Sequence, residues 1–328
     1  MSITRKALLA GFTALSMCLA ATTPAAANDR VSLRLNFLLS GVHTIFFLGK
    51  TAGAYKAEGI DLDIGEGQGS VRTVQTVATG GDLFGLADGG SVIAGATRGA
   101  AVVSVMGILN KSPYGISFRA DAGVKDIKDV EGKVLAVSAG EASLALLPAL
   151  WKVNGIDGSK VRTLNVDGAG KIVAVLQKRV DGLLAGLENQ VVVLQQKGLE
   201  QKVFAFADLG LNTEGLTILV SKDTLTTKPD LVARFVRATR KAIELSKQDP
   251  EKAVAAALAD KPQADHDLLK AQLIASLDLL ESPDSQGTPL GHMAPQDWTR
   301  TLDLMKQYQD VTSDMPATAF YTNQFVAK

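Results

Sequence analysis

Polar and aromatic residues of this 328-residue sequence collect at turns that follow predicted strands. Hydroxyl, carboxyl, amide and imidazole groups at such turns can bind a small polar ligand, assisted by the backbone N–H groups of the helices that start there. An aromatic ring among them can stack on the ligand. We expect ligand contacts, and no catalytic role, from seven residues: Asn36, Phe37, His43, Ser70, Asp88, Ser138 and Glu188.

Four of these residues also have a structural interpretation. His43 opens the first predicted helix, where a lone histidine can support the fold or touch a ligand. Ser70 is predicted to cap the helix that begins at residue 71. Asp88 can cap the next helix or bind ligand. Glu188 can stabilise a helix N-terminus through the helix dipole, or it can face a cleft and accept hydrogen bonds from ligand amino groups, the interpretation we favour.

Ser138 raises an enzymatic alternative, because it lies in the segment AVSAG at a predicted strand–turn–helix junction. A hydrolase nucleophile elbow has this placement but needs glycine where Ala136 stands. It also needs a histidine base later in the chain, and His266 and His292 are the only such candidates in the sequence. We therefore expect a binding protein rather than an enzyme, and keep a serine hydrolase using Ser138 as the alternative from another class.

No motif predicts a cofactor or a metal site. The glycine-rich turn GEGQGS at residues 65–70 follows the second predicted strand and lacks the G-x-G-x-x-G spacing of a dinucleotide site. The sequence has neither HExxH nor paired histidines at metal-ligand spacing. Its single cysteine, Cys18, lies in a segment that we expect to be removed, so we expect no disulfide and no thiolate chemistry in the mature chain.

The first 27 residues have the features of a secretory signal peptide. They show a short basic start, an apolar run over residues 7–21 and a small-residue end at 25–27. The run is shorter than the ~20 apolar residues of a membrane-spanning helix. Lipid attachment at Cys18 is an alternative, although Met17 stands where a small residue is expected. We predict cleavage after residue 27 and a periplasmic protein.

The remaining chain reads as an α/β protein of two lobes. The full sequence has 34 basic and 34 acidic side chains, and without Arg5 and Lys6 the remaining chain has 32 against 34, so the charge offers no electrostatic reason to expect nucleic-acid binding. Strands alternate with helices and the pattern restarts near residue 115, which predicts two mainly parallel sheets flanked by helices and joined by two crossings. The predicted division is 1–27 for the signal peptide, 28–114 with 209–328 for lobe 1, and 115–208 for lobe 2.

Local patterns place a first strand at 31–39 and a first helix at 43–56. Ligands of parallel sheets bind at the carboxyl ends of the strands. The turns predicted to surround one cleft are therefore 36–43, 67–71, 88–91, 138–143, 167–170 and 186–189.

Several short motifs stand in a distinctive order along nearly the whole mature chain. They are LNF at 35–37, EGI at 58–60, GQGS at 67–70, GLAD at 85–88, DVEGK at 129–133, VDG at 180–182 and YTNQF at 321–325. On these residues the sequence resembles the periplasmic solute-binding proteins of ABC importers for thiamine-precursor pyrimidines, sulfonates, taurine and nitrate. The resemblance implies a protein that holds a small molecule between two lobes and delivers it to an ABC membrane permease. We expect it to act as a monomer.

Glu188, with Leu194 and Gly198, resembles the pyrimidine-binding branch, in which a glutamate after this strand meets the pyrimidine amino group. That branch opens with Asp-Trp where this chain has Asn36-Phe37, so the tryptophan that forms the stacking surface is missing here and another ring has to substitute for it.

Phe37, Phe47 and Tyr114 are the candidates for that ring. The cysteine-rich motif of the eukaryotic pyrimidine synthases is absent. The predicted ligand is a pyrimidine-like, amino-bearing heterocycle of the thiamine-precursor type. A sulfonate, taurine, nitrate or an aromatic acid is the alternative.

Overall fold

The structure is a computed structural model that describes residues 28–138, 141–309 and 311–326. The predicted signal peptide lies outside the described residues. Within them, ten strands form two five-stranded sheets with helices packed on both. No helix in the described ranges combines the length and the apolar character needed to cross a membrane.

The first sheet has the strand order β2-β1-β3-β10-β4. Strands β1, β2 and β3 pair in parallel, whereas β10 pairs antiparallel with both β3 and β4. Four of its five strands therefore share one direction. The strands are β1 (Asp29–Arg34), β2 (Ile60–Gly65), β3 (Phe84–Asp88), β4 (Val102–Gly107) and β10 (Leu216–Ser221).

The second sheet repeats this arrangement in the order β7-β6-β8-β5-β9. Strand β6 is parallel to β7 and β8, and β5 is antiparallel to β8 and β9. Again four strands share one direction, so the predicted two-lobed α/β fold with mainly parallel sheets is confirmed. The strands are β5 (Tyr114–Arg119), β6 (Val134–Val137), β7 (Arg162–Asn165), β8 (Gly182–Gly186) and β9 (Gln201–Ala205).

The helices flank the two sheets. Those packed on the first sheet are α1 (Thr44–Thr51), α2 (Ala54–Ala57), α3 (Ser70–Ala78), α4 (Gly89–Thr97), α8 (Lys222–Thr227), α9 (Pro229–Gln248), α10 (Pro250–Asp260), α11 (His266–Leu277) and α12 (Pro295–Tyr308). Those of the second are α5 (Leu147–Val153), α6 (Gly168–Leu176) and α7 (Gln190–Gln196). Short 3₁₀ turns lie at Gly41–His43, Ala120–Ala122, Ile127–Val130, Ala142–Leu146, Gly158–Lys160, Ala207–Leu209 and Ala317–Ala319.

The chain passes between the sheets twice, from β4 to β5 and from β9 to β10. Each crossing enters the other sheet as its single reversed strand. The crossings are tied to one another and to the sheets: the N–H of Ile108 donates to the carbonyl of Leu216 at 2.7 Å, and that of Phe206 to Tyr114 at 2.9 Å. Asp297 of α12, fully buried, accepts from Asn212 at 2.6 Å and so anchors the second crossing. The lobe boundaries given above stay a prediction.

The core of lobe 1 is built around stacked aromatic rings. Phe84 of β3 and Phe235 of α9 stack with their ring centroids 3.8 Å apart and their planes within 13°. Both are fully buried, and Tyr55 packs on the same Phe235 ring. This contact fastens the long helix α9 to the sheet at the first residue of β3.

The predicted first strand, 31–39, is wrong at its end, because β1 stops at Arg34. The carbonyls of Asn36 and Phe37 accept hydrogen bonds from the N–H groups of residues 69 and 67, at 2.8 and 3.1 Å. A neighbouring loop therefore satisfies this backbone where a strand was expected to do so.

The predicted first helix, 43–56, is also divided. It begins with a 3₁₀ turn, and it breaks at Gly53, whose φ of 77° lies in the left-handed region. Strand β5 was not predicted at all, although its sequence YGISFR is a short apolar run.

Gly67 holds the loop after β1 against the loop after β2. A Cβ on this residue would lie 1.9 Å from the carbonyl oxygen of Leu35 and 2.8 Å from the carbonyl carbon of Asn36. Both are backbone atoms of a packed loop, so they have little room to yield. Gly67→Ala is expected to destabilise the protein by about 3 kcal/mol, measured by urea unfolding.

Gly168→Ala is the matched control, because a Cβ at this first residue of α6 meets nothing within 4 Å. We expect that variant to match or slightly exceed the wild-type stability. Equal stability of the two variants would contradict the close packing of the two loops.

Candidate functional site

A cavity of about 260 Å³ lies between the two lobes. Lobe 1 lines it from the start of α3, the end of β3 and helix α4. Lobe 2 lines it from the turn before α5, and both crossings and α12 complete the wall. The lining residues are Val71, Asp88, Gly90, Ser91, Ala94, Arg98, Tyr114, Glu141, Ala145, Leu146, Thr213, Glu214, Thr301, Met305 and Gln309.

Asp88 both caps a helix and lines the cavity. Its Oδ1 accepts from the backbone N–H of Ser91 at 2.8 Å, and its Oδ2 accepts from the Ser91 hydroxyl at 2.7 Å. These bonds satisfy the first turn of α4. The cap role and the ligand role of Asp88 are therefore compatible, because the carboxylate that caps α4 also lies in the cavity wall.

Ser70 does not cap α3, contrary to the prediction. The cap position is Gly69, with φ 109°, and Ser70 is the first helical residue. Its hydroxyl accepts from the N–H of Asp88 at 3.2 Å. Ser70 thus joins the start of α3 to the end of β3, next to the cavity residue Val71.

His43 and Asn36 hold the loop after β1 and do not line the cavity. The Nδ1 atom of His43 accepts from the N–H of Ser40 at 3.0 Å, so its hydrogen is on Nε2, which donates to Asn36 Oδ1 at 2.7 Å. Burial lowers the pKa of His43 to about 3, which keeps the ring neutral. Both ring nitrogens are thus engaged within the loop. Ligand contacts of these two residues stay a prediction.

The three aromatic candidates lie in different environments. Phe37 is 53% exposed at the tip of the loop, and Phe47 is buried in the core of lobe 1. Tyr114, at the start of β5, lines the cavity where the first crossing enters lobe 2. Of the three candidate rings, Tyr114 is the one that lines the cavity.

Glu188 follows β8 in lobe 2, as predicted. It is half-buried, and its Oε2 atom is enclosed without a hydrogen-bond partner. Burial raises its pKa from 4.5 to about 7. Burial of Tyr114 raises the pKa of its hydroxyl well above the usual value, and the charges of Asp88, Glu188 and Glu141 raise it further. The three carboxyl groups therefore act on the same aromatic hydroxyl, although Glu188 is not part of the cavity wall itself.

Glu141 forms a buried ion pair in the lobe 2 wall. Its Oε2 accepts from Lys171 Nζ at 2.5 Å, and Lys171, 2% exposed, also donates to the carbonyl of Leu184 at 2.8 Å. The other oxygen of Glu141 accepts from the N–H of Ser138 at 2.8 Å. Sequence reasoning did not single out this pair.

The hydrolase alternative lacks its geometry in the described part of the chain. The Ser138 hydroxyl is buried without a hydrogen-bond partner, so no described histidine contacts it. His266 lies on the surface beside Glu251, and His292 bonds to Asn323. A triad needs the serine and its base within hydrogen-bond reach.

Glu214 is a cavity residue that no motif marked. It lies in the second crossing, is 1% exposed, and neither carboxyl oxygen has a hydrogen-bond partner. Burial, and then the charge of Asp297, raise its pKa well above the usual range. One signal was present in the sequence: Glu214 is the only charged residue between positions 209 and 221.

The cavity wall offers mainly hydrogen-bond acceptors. Three carboxyl groups line it, from Asp88, Glu141 and Glu214. Two cationic side chains lie at this wall in the described part of the chain. Lys171 is paired with Glu141, and Arg98 is exposed. Such a wall suits a ligand that brings N–H donors more than an anionic one. Within the described residues no group of three His, Cys, Asp or Glu could hold a metal ion.

Comparison with known proteins places this architecture among periplasmic binding proteins. The model of the family described as NMT1/THI5 like matches residues 40–253. The solved periplasmic aliphatic sulphonate binding protein SsuA of Escherichia coli shares the fold with a TM-score of 0.70 and 15% identity, covering 89% of this chain and 91% of that one.

Curated relatives extend over most of the chain. A riboflavin-binding protein, RibY, of Chloroflexus aurantiacus is 26% identical, covering 93% of this chain and 92% of its own. A formylaminopyrimidine-binding protein of Halalkalibacterium halodurans is 22% identical, covering 85% of each chain. Other relatives bear the name of a pyrimidine phosphate synthase.

Proposed function

The chain belongs to the NMT1/THI5-like family, and from this premise we propose that it is the periplasmic substrate-binding component of an ABC importer. The proposed ligand is a small amino-bearing heterocycle, a pyrimidine of the thiamine-precursor type. The observation that carries the proposal is the inter-lobe cavity, whose wall combines one aromatic ring, Tyr114, with three carboxyl groups, from Asp88, Glu141 and Glu214.

The size of the cavity favours a single-ring ligand. Its volume of about 260 Å³ lies just below the roughly 300–1,000 Å³ typical of small-molecule sites. A pyrimidine fits such a volume better than the three fused rings of riboflavin, the ligand named for one relative.

The chemistry of the wall favours amino groups over sulfonate or nitrate. Tyr114 supplies a stacking surface, and the neighbouring carboxyl groups accept N–H bonds. A sulfonate would face Asp88 and Glu214 without a free buried cation described nearby. The fold shared with a sulphonate-binding protein does not bear on the ligand.

Capture without conversion is the proposed activity. Ser138 has no base in contact among the described residues. The sequence has a single cysteine, Cys18, and therefore lacks the cysteine-rich motif of the eukaryotic pyrimidine synthases. These observations support binding over synthesis, which the names of some relatives would otherwise suggest.

We propose that residues 1–27 direct export of the protein. The two lobes then close around the ligand by a hinge motion at the two crossings, and the closed protein delivers the ligand to the permease. The lobes already touch across the cleft: Gln272 of α11 donates to Asn189 Oδ1 of lobe 2 at 3.2 Å, while its own Oε1 accepts from Gly41. We propose that the protein acts as a monomer.

A ligand panel tests this function. The mature protein is heated with 4-amino-5-hydroxymethyl-2-methylpyrimidine, riboflavin, an alkanesulfonate, taurine, nitrate or benzoate, and the ligand is recovered afterwards for mass spectrometry. We expect the aminopyrimidine to raise the Tm, since a ligand at one hundred times its Kd adds about 2.7 kcal/mol. We expect it to be recovered unchanged.

Two results would contradict the proposal. A shift produced only by sulfonates, nitrate or carboxylates would replace the ligand class. Turnover of a panel compound, or esterase activity that disappears in Ser138→Ala, would replace binding with catalysis.

A further inference from the structure

Glu214 is a buried acid whose hydrogen-bonding capacity is unused. It is 1% exposed, it lines the cavity, and both Oε1 and Oε2 lack partners among the described residues. Buried polar groups in native proteins nearly always have partners, because an unpaired one is costly. A carboxyl group left in this state at a cavity wall points to a partner that arrives with the ligand.

The surrounding structure fixes Glu214 in this position. Its backbone N–H donates to Thr301 Oγ1 at 2.8 Å. The side-chain stem of Glu214 packs against Gly89. A Cβ added to Gly89 would lie 2.7 Å from the Cβ of Glu214, so only glycine at position 89 leaves room for this side chain. The backbone of Glu214 is thus held by α12, and its side-chain stem packs against the start of α4.

The charge around Glu214 favours its acid form. Burial, and secondarily the charge of Asp297 on α12, raise its pKa well above the usual range. Tyr321, whose own pKa is raised by burial and by Glu214, is the other titratable group whose charge interacts with it. The remaining charged or titratable groups of the cavity wall are Asp88, Tyr114, Glu141 and the exposed Arg98.

A protonated carboxyl group presents one donor and one acceptor side by side. The complementary partner is a ring nitrogen with an amino group on the adjacent carbon, as in a 4-aminopyrimidine. In that pairing the O–H donates to the ring nitrogen and the carbonyl oxygen accepts from the amino N–H. Both unpaired atoms of Glu214 would then be satisfied at once.

We propose that Glu214 is a ligand-binding and specificity-determining residue that binds an amino-substituted nitrogen heterocycle through two parallel hydrogen bonds. This inference rests on the function proposed above and adds to it a carboxyl contact from the second crossing. It also defines the edge of the ligand that is recognised.

The test is titration calorimetry with two probes on the wild type, on two variants of Glu214 and on one control variant. The probes are 4-amino-5-hydroxymethyl-2-methylpyrimidine and the same pyrimidine without its amino group. In wild type the amino compound should bind at least tenfold more tightly. Glu214→Leu should lose at least tenfold for the amino compound and change little for the other, while Glu214→Gln, whose amide offers one donor and one acceptor, should stay within about threefold.

A thermal melt without ligand separates this role from a structural one. Glu214→Leu removes a buried unpaired group, so its Tm should rise by a few degrees even though its affinity falls. Glu281→Leu, which changes an exposed acid of the same lobe, should alter neither quantity.

The failures are distinguishable. Unchanged affinity of Glu214→Leu for an aminopyrimidine that the wild type binds would overturn this inference and leave the proposed function standing. Wild-type protein that binds neither probe would overturn both. A lower Tm in Glu214→Leu and Glu214→Gln alike would make Glu214 a structural residue and also overturn the inference.

Discussion

Lys171→Met is expected to destabilise the protein by about 3–5 kcal/mol. The ammonium of Lys171 is 2% exposed and neutralises Glu141, whose carboxylate lies in the cavity wall. Methionine fills much of the same space but leaves the partly buried carboxylate of Glu141, whose side chain is 19% exposed, without its counter-charge. Breaking a buried pair from one side has a large cost, because the remaining charge stays desolvated.

Urea unfolding of four proteins measures this effect: wild type, Lys171→Met, Glu141→Gln and the double variant. The double variant should recover a large part of the loss, with a coupling free energy of at least about 1 kcal/mol. Recovery is incomplete because the carbonyl of Leu184 also loses its donor. The glutamine at 141 can still accept from Ser138.

A surface ion pair of the same lobe is the control. Lys160 pairs with Glu131 at 2.9 Å, and its side chain is 57% exposed. Lys160→Met should lower the free energy of unfolding far less than Lys171→Met does, since water screens this pair. Equal losses of unfolding free energy in Lys171→Met and Lys160→Met would show that water reaches the Glu141–Lys171 pair. The pair would then not be part of a desolvated cavity wall.

Glu188→Gln is expected to raise stability at alkaline pH and to reduce ligand affinity. The pKa of Glu188 is raised by burial from 4.5 to about 7 in the folded protein. Between these two values the folded state holds a proton that the unfolded chain has released, so stability falls as pH rises through this window. Above pH 7 the ionised wild type carries a penalty of up to about 3 kcal/mol.

The variant has no carboxyl group at this position and therefore no such penalty. Unfolding free energies at pH 4, 6 and 8 should show no difference from wild type at pH 4 and a growing advantage for Glu188→Gln towards pH 8. Glu200→Gln, at an exposed position of the same lobe, should follow wild type throughout. A pH-independent difference would mean that Glu188 is not the titrating group.

The affinity for the aminopyrimidine should fall at least tenfold in Glu188→Gln at pH 8. The ionised carboxylate accepts N–H bonds more strongly than a neutral amide does. Calorimetry at that pH measures the change. Unchanged affinity would remove Glu188 from the ligand site while leaving its effect on stability in place.

The alternation of strands and helices was predictable because each element here carries its own local pattern. The segment IDLDI alternates and is strand β2, and the amphipathic run after Gly69 is helix α3. Glycines mark several ends, as at Gly59 and Gly80, where φ is positive. The register of the sheets and the reversed direction of β5 and β10 were not predictable, because they depend on pairing with distant strands.

The site was only partly predictable for the same reason. Asp88 and Glu188 follow strands and could be found from that placement. His43 has the same placement, yet its two nitrogens bond to Ser40 and Asn36. A turn position shows where a residue enters the site region, but it does not show which neighbour has already taken its hydrogen bonds.

The amino-acid order decided that this chain forms two α/β lobes, because hydrophobic periodicity and glycine stops act within a few residues of each other. It also marked several of the carboxyl groups near the cleft. Only the folded chain decided which polar groups remain unpaired. Among the described residues the Glu214 carboxyl group has no partner, although Gly89 of α4 packs on its stem and Thr301 of α12 bonds to its backbone. Burial and pairing arise from contacts between residues far apart in sequence, so the cavity and its unsatisfied acid became visible only in three dimensions.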